Sequence, residues 1–190
     1  MNQGEMKFSL KLKNQTSQYS LLEFVYSPVL ELLETRSFDP VGQTKIDHLK
    51  ETMKYGWRWV LRSEHSNKLP LYKVQNFFQK YYPTTEDELE FCSELEYIGR
   101  AYVVLETSLC ASYILDRLSP MKYDINYFED LSELIPTFFV LKSRLDVMKL
   151  SEKDEKEIFL GTEKMYSDLM MAHRLTHISS RYNTTNGSLQ

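Results

Sequence analysis

The sequence contains few of the residues that break helices or link a chain covalently. Its 190 residues include six glycines, six prolines and two cysteines. So few glycines and prolines favour long helices with short connections. If one helix carried both Cys92 and Cys110, they would lie about 27 Å apart, whereas a disulfide needs Cα atoms within about 7 Å. We therefore expect two buried free thiols.

Long apolar runs are also missing. Glu96, Arg100, Glu106 and Asp116 interrupt the most apolar stretch, so no membrane span is expected. The N-terminus lacks the charged and then apolar pattern of a secretory leader. These features predict a cytoplasmic protein without a membrane partner.

The short motifs of common enzyme classes do not occur. The sequence has no glycine-rich nucleotide loop, no Cys-x-x-Cys or His-Glu-x-x-His zinc signature and no Gly-x-Ser-x-Gly elbow. We therefore expect no enzymatic activity, no metal and no cofactor.

What the sequence does contain is helical periodicity. Residues 95–118 are apolar at helical spacing on nearly every side, which is typical of a helix surrounded by others. The pattern predicts an all-α fold, a single-domain bundle of about six helices packed around this central helix. A capping box at residues 85–88 is expected to open the helix, with a break between Phe91 and Leu95 left open.

The other helices follow from similar stripes. We expect a helical domain over residues 18–179, with residues 38–42 as a loop and Pro136 as a kink inside one helix. The alternation over residues 8–13 makes residues 1–17 an arm that is either disordered or one strand. Residues 180–190 are expected to be a disordered tail. The predicted helices span about 18–36, 44–65, a short segment after Pro70, 95–118, 125–148 and 151–179.

Charge is distributed unevenly along the chain. Residues 84–135 contain twelve acidic and three basic residues, a formal charge of −9, within a chain of net charge −4. Proteins that bind mainly nucleic acid are usually basic, so no direct nucleic-acid binding is expected. An acidic face suits a basic protein partner.

Two helix faces are candidate binding sites. Glu86, Glu90 and Glu94 lie at successive i, i+4 positions, where like charges repel. This strip is either a docking site for cationic side chains or a solvated face. On the second predicted helix, Tyr55, Arg58, Trp59 and Arg62 share a face and combine residue types that dominate interfaces. That face either contacts a partner or is covered by another helix.

Two pairs support alternative functions. The spacing of Arg58 and His65 fits the loose Arg-x4-6-His pattern of helical RNases of the higher-eukaryote-and-prokaryote nucleotide-binding group. His173 and His177 lie at i, i+4 and could both reach one metal ion, although structural zinc needs about four ligands. A regulatory helical oligomer without catalysis is a further alternative.

Two segments also carry a resemblance. Trp57-Arg58-Trp59-Val60 near a helix end, followed by residues 82–88 before the central helix, resembles a group of all-helical bacterial proteins similar in size and layout to immunity proteins of toxin systems. The resemblance implies a bacterial, cytoplasmic, non-enzymatic antitoxin that binds a cognate toxin, often a basic nuclease.

Overall fold

The computed structural model describes residues 6–16, 40–68, 80–82 and 91–186. Within these ranges the chain is predominantly helical and forms no β-strand, which confirms the all-α prediction. The predicted helix 18–36 and the capping box at 85–88 lie outside the described residues, as does most of the segment after Pro70. The described α-helices are α1 (Phe8–Thr16), α2 (Pro40–Arg62), α3 (Glu94–Leu118), α4 (Asn126–Ser132), α5 (Ile135–Val147) and α6 (Glu152–Asn186).

Helix α3 begins at Glu94, and residues 91–93 before it are not helical. The Ser93 hydroxyl accepts a hydrogen bond from the Glu96 N–H at 3.1 Å and caps the helix. Helix α3 packs against α2, α4, α5 and α6. By length and composition it is the one described helix that could cross a membrane, but 67% of its most apolar window is buried within the domain.

Helix α2 contributes the predicted apolar stripe to the core. Ile46, Leu49, Met53, Trp57 and Val60 are all buried. The helix begins at Pro40, so the predicted loop over residues 38–42 is wrong for residues 40–42, which are helical. Proline is suited to a first helical turn because its missing N–H would have no partner within the helix there.

The prediction of one kinked helix over residues 125–148 is wrong. Helices α4 and α5 are separated by turn residues 133–134, and Pro136 lies in the first turn of α5. Proline lacks the N–H needed to continue the ladder, and its ring clashes with the carbonyl four residues earlier. The apolar stripe nevertheless keeps its phase, since Leu131, Leu134 and Phe138 are buried on both sides of the break.

Residues 8–16 form a helix, which corrects the predicted strand in the N-terminal arm. Phe8 and Leu12 are buried, whereas Leu10 between them is exposed. In a strand, Phe8, Leu10 and Leu12 would all lie on one face, whereas in a helix residues four apart share a face. Burial of Phe8 and Leu12 with Leu10 exposed therefore fits the helix. The Ser9 N–H also donates to the Asp146 carboxylate at 2.9 Å and fastens α1 to α5.

Helix α6 starts at a capping box formed by Ser151 and Asp154. The Ser151 N–H donates to the Asp154 carboxylate at 2.9 Å, and the Asp154 N–H donates to the Ser151 hydroxyl at 3.3 Å. The helix continues to Asn186, so the predicted tail is helical up to that residue, and residues 187–190 lie outside the described part.

Candidate functional site

Helices α3 and α6 cross in close contact, and this crossing positions the candidate site. A Cβ atom placed on Gly99 would lie 2.1 Å from the Ile158 carbonyl oxygen, and one on Gly161 would lie 2.2 Å from the Glu96 carbonyl oxygen. Only residues without a Cβ permit this approach. The crossing brings polar side chains of the two helices together beside it.

Arg100 is at the centre of that polar group. It is only 8% exposed, and its guanidinium donates to Glu96 Oε1 at 3.1 Å and to Asp168 Oδ2 at 2.7 Å. Lys164 Nζ donates to the same Glu96 oxygen at 3.0 Å. Burial acts to raise the pKa of the Glu96 carboxyl, but the hydrogen bonds from Lys164 and Arg100 outweigh it and leave that pKa below its usual value. The group is therefore an ionised network at neutral pH.

Trp59 covers this network from helix α2. The guanidinium carbon of Arg100 lies 4.3 Å from the centre of the Trp59 ring, within range of a cation–π interaction. The same ring stacks on Tyr97, with centroids 6.3 Å apart. Trp59 is half-buried. The Trp59 indole therefore lies between the buried core and the outer face of α2.

His65 and Cys92 also lie near Tyr97. A ring nitrogen of His65 is 3.0 Å from the Cys92 carbonyl oxygen, and its ring centroid is 5.9 Å from that of Tyr97. Burial raises the pKa of the Cys92 thiol, which opposes formation of a thiolate nucleophile at neutral pH. The buried Tyr97 hydroxyl has no hydrogen-bond partner within the described ranges. These contacts hold the His65 ring beside Tyr97 and Cys92.

The surface beside this cluster is aromatic and charged. Phe91 is 75% exposed and Tyr55 is 42% exposed. Arg58 and Glu94 are exposed, and Arg62 is half-buried. Arg58 lies 3.8 Å from Glu51, a distance at which two exposed charges attract only weakly. We call Tyr55, Arg58, Trp59, Arg62, Phe91 and Glu94 the α2–α3 face.

The structure separates some residues that the sequence grouped. Arg58 is paired with Glu51, whereas His65 contacts Cys92 and Tyr97, so the two have different neighbours. Of the proposed acidic strip, Glu94 is described, while Glu86 and Glu90 lie outside the described residues. His173 is half-buried on α6, and the His177 side chain also lies outside the described part. Within the described residues, no group of three or more His, Cys, Asp or Glu side chains could hold a metal ion.

Three features were missed from the sequence. The i, i+4 spacing of Glu96 and Arg100 was visible, but the third partner, Asp168, is distant in sequence, and only the helix crossing brings it close. Phe91 was overlooked because it precedes the apolar stripe of α3. A polar cavity of about 300 Å³ also lies beside Tyr127, where Lys80 and Tyr81 both bond to Asp130.

Comparisons with family models, with curated proteins and with solved structures find no match to this chain.

Proposed function

We propose that this chain is a non-enzymatic cytoplasmic protein of bacterial type that binds and neutralises a basic protein toxin. The interaction surface would be the α2–α3 face together with the acidic residues that precede α3. The helices of the complete domain would pack around the segment 95–118, and the packing of α3 against four other described helices supports this layout.

One observation carries the proposal: large aromatic side chains are exposed next to charged ones on the α2–α3 face. Exposure of Phe91 and Tyr55 to water is unfavourable, and a partner that covers them would recover the free energy of apolar burial. Aromatic and arginine side chains also dominate the energetics of protein interfaces. The face therefore has the composition of a protein-binding surface.

Two basic side chains close to this face make contacts within the protein. Arg100 neutralises two carboxylates, and His65 is bonded to a backbone carbonyl. A catalytic base or phosphate-binding cation needs its donor or lone pair available to substrate. The Arg100 guanidinium is engaged within the protein, and of the His65 ring the Nε2 atom is engaged.

The charge of the neighbouring segment supports a basic partner. Residues 84–135 carry a formal charge of −9, and Glu94 is exposed next to Phe91. Complementary charge accelerates association and excludes acidic proteins. A cationic nuclease-type toxin fits this requirement.

The experiment is affinity capture with the full chain, followed by mass spectrometry and co-expression. We expect a basic protein to be retained, and its toxicity to be suppressed when this chain is co-expressed. Phe91→Ser should weaken retention, whereas Phe139→Ser, which alters an exposed phenylalanine on α5, should not. Equal retention by both variants, or RNA cleavage that His65→Ala abolishes, would contradict the proposal.

A further inference from the structure

Apolar and basic side chains are exposed together where α1 packs on the end of α5. Val147 is 79% exposed, and Met6, Leu10 and Met148 are each at least 40% exposed. Lys7 and Lys149 are exposed among them. We call these six residues the α1–α5 surface.

The contacts of α1 place these residues on one surface. Ser9 bonds to Asp146, and Phe8 packs on Phe159 with ring centroids 5.4 Å apart. A cavity of about 350 Å³ is lined by Met6 and Lys7 from the segment before α1 and by Met148 and Lys149 from the segment after α5, among other residues. The apolar and basic groups are therefore neighbours in space.

Two acidic groups lie at this location, and one of them, Glu155, is neutralised by an ion pair. Asp146 accepts the Ser9 N–H at 2.9 Å, and Glu155 is paired with Lys11 at 2.9 Å. Within the described residues, Lys7 and Lys149 form no ion pair. Residues 6–14 and 136–150 together contain six basic residues and one acidic residue. The outward charge of the surface is positive.

We infer that the α1–α5 surface docks onto an anionic lipid bilayer. Lysines that flank exposed aliphatic side chains match an interface in which the ammonium groups meet lipid phosphates and the apolar groups enter the acyl boundary. The apolar residues of this surface are Met, Leu and Val, and none offers an aromatic ring on which a base could stack, so the surface fits lipid better than nucleic acid. This inference departs from the sequence-based expectation of no membrane partner and is independent of the toxin-binding face.

The test is sedimentation of the full chain with phosphatidylcholine vesicles, prepared with and without phosphatidylglycerol. We expect binding to the anionic vesicles alone, weakened by added salt. The double variant Lys7→Gln/Lys149→Gln should bind about thirty-fold more weakly, from roughly 1 kcal/mol per lysine. The double variant Val147→Ser/Met148→Ser should also bind anionic vesicles more weakly, and added salt should still weaken that binding.

The matched control is Lys122→Gln/Arg174→Gln, which removes two exposed charges elsewhere on the chain. It should bind anionic vesicles like the wild type, and thermal melts by circular dichroism should show all three variants folded. Equal binding to neutral vesicles, no binding to either, or an equal loss in the control would overturn the inference. A dimer that forms with rising protein concentration, without vesicle binding, would also overturn the inference. A DNA gel shift that Lys7→Gln/Lys149→Gln abolishes, again without vesicle binding, would do the same.

Discussion

Arg100 depends on its partners because it is a cation enclosed between α3 and α6. Glu96 and Asp168 supply opposite charges, and Trp59 covers the guanidinium. Removing one member of a buried ion pair leaves a charge without compensation, which typically costs about 3–5 kcal/mol. Glu96 would retain Lys164, so the lower end of that range applies here.

Replacing Arg100 with alanine is therefore expected to lower the free energy of unfolding by about 3 kcal/mol, measured by urea denaturation. Arg117→Ala is the matched control, since Arg117 is half-exposed and paired with exposed Asp116. Its loss should cost less than about 1 kcal/mol. Similar losses in the two variants would mean that the Arg100 network is not buried as described.

Glu106 predicts a pH dependence of the opposite sign to that of most carboxylates. Burial raises its pKa, although the Tyr166 hydroxyl donates to it at 2.5 Å and Lys13 and Lys142 act to lower it. Tyr102 and Cys110 also lie close to the carboxylate. A raised folded pKa means that the folded state binds the proton more tightly than the unfolded state. This contribution is complete below the unfolded pKa and is lost as pH rises through the folded pKa.

Glu106→Gln should remove the loss of stability that ionisation of Glu106 causes as pH rises. We expect the variant to gain stability relative to the wild type between acidic and neutral pH, measured by denaturation at a series of pH values. Glu163→Gln, which alters an exposed carboxylate on α6, should follow the wild-type curve. Parallel curves for Glu106→Gln and wild type would show that the Glu106 pKa is not raised.

At the scale of elements, the crossing of α3 and α6 is the most constrained contact. Gly99→Ala would place a methyl group 2.1 Å from a backbone oxygen, so the helices must separate. Overpacking of this kind typically costs about 1–3 kcal/mol, which denaturation would detect. Ser112→Ala, at an exposed position of the same helix, should change stability by less than about 0.5 kcal/mol. An unchanged Gly99→Ala protein would contradict the close crossing.

Helices with long apolar stripes were predictable from sequence, whereas interruptions and short elements were not. The stripe of α2 from Ile46 to Val60 is buried as predicted, because a 3.6-residue period over several turns has few alternatives. In α1 the alternation of three apolar residues suggested a strand. The i, i+4 spacing of Phe8 and Leu12, which is typical of a helix, was given less weight. At Pro136 the unbroken stripe concealed the break, since two helices in phase bury the same positions as one.

The candidate site was only partly predictable for a related reason. Tyr55, Arg58 and Trp59 were identified because they share a face of one helix. Asp168 could not be assigned to Arg100, since periodicity within one helix carries no information about which helix crosses it. Tertiary packing alone pairs residues 68 positions apart.

For the whole molecule, the two proposed binding surfaces differ in the charge of the chain segments next to them. The α2–α3 face adjoins the acidic segment 84–135, while the α1–α5 surface is basic. A protein with this distribution could engage a cationic partner at one surface and an anionic bilayer at the other. The two interactions use separate residues and are tested by separate variants.

We propose that acidic residues near the start of α3 dock a cationic protein. The most direct measurement is the affinity and association rate of the captured partner at two salt concentrations, for wild type and for Glu90→Gln/Glu94→Gln. The account predicts slower association and weaker salt dependence in the variant, with stability unchanged or higher by a few tenths of a kcal/mol. Superimposable binding curves at low salt would contradict it.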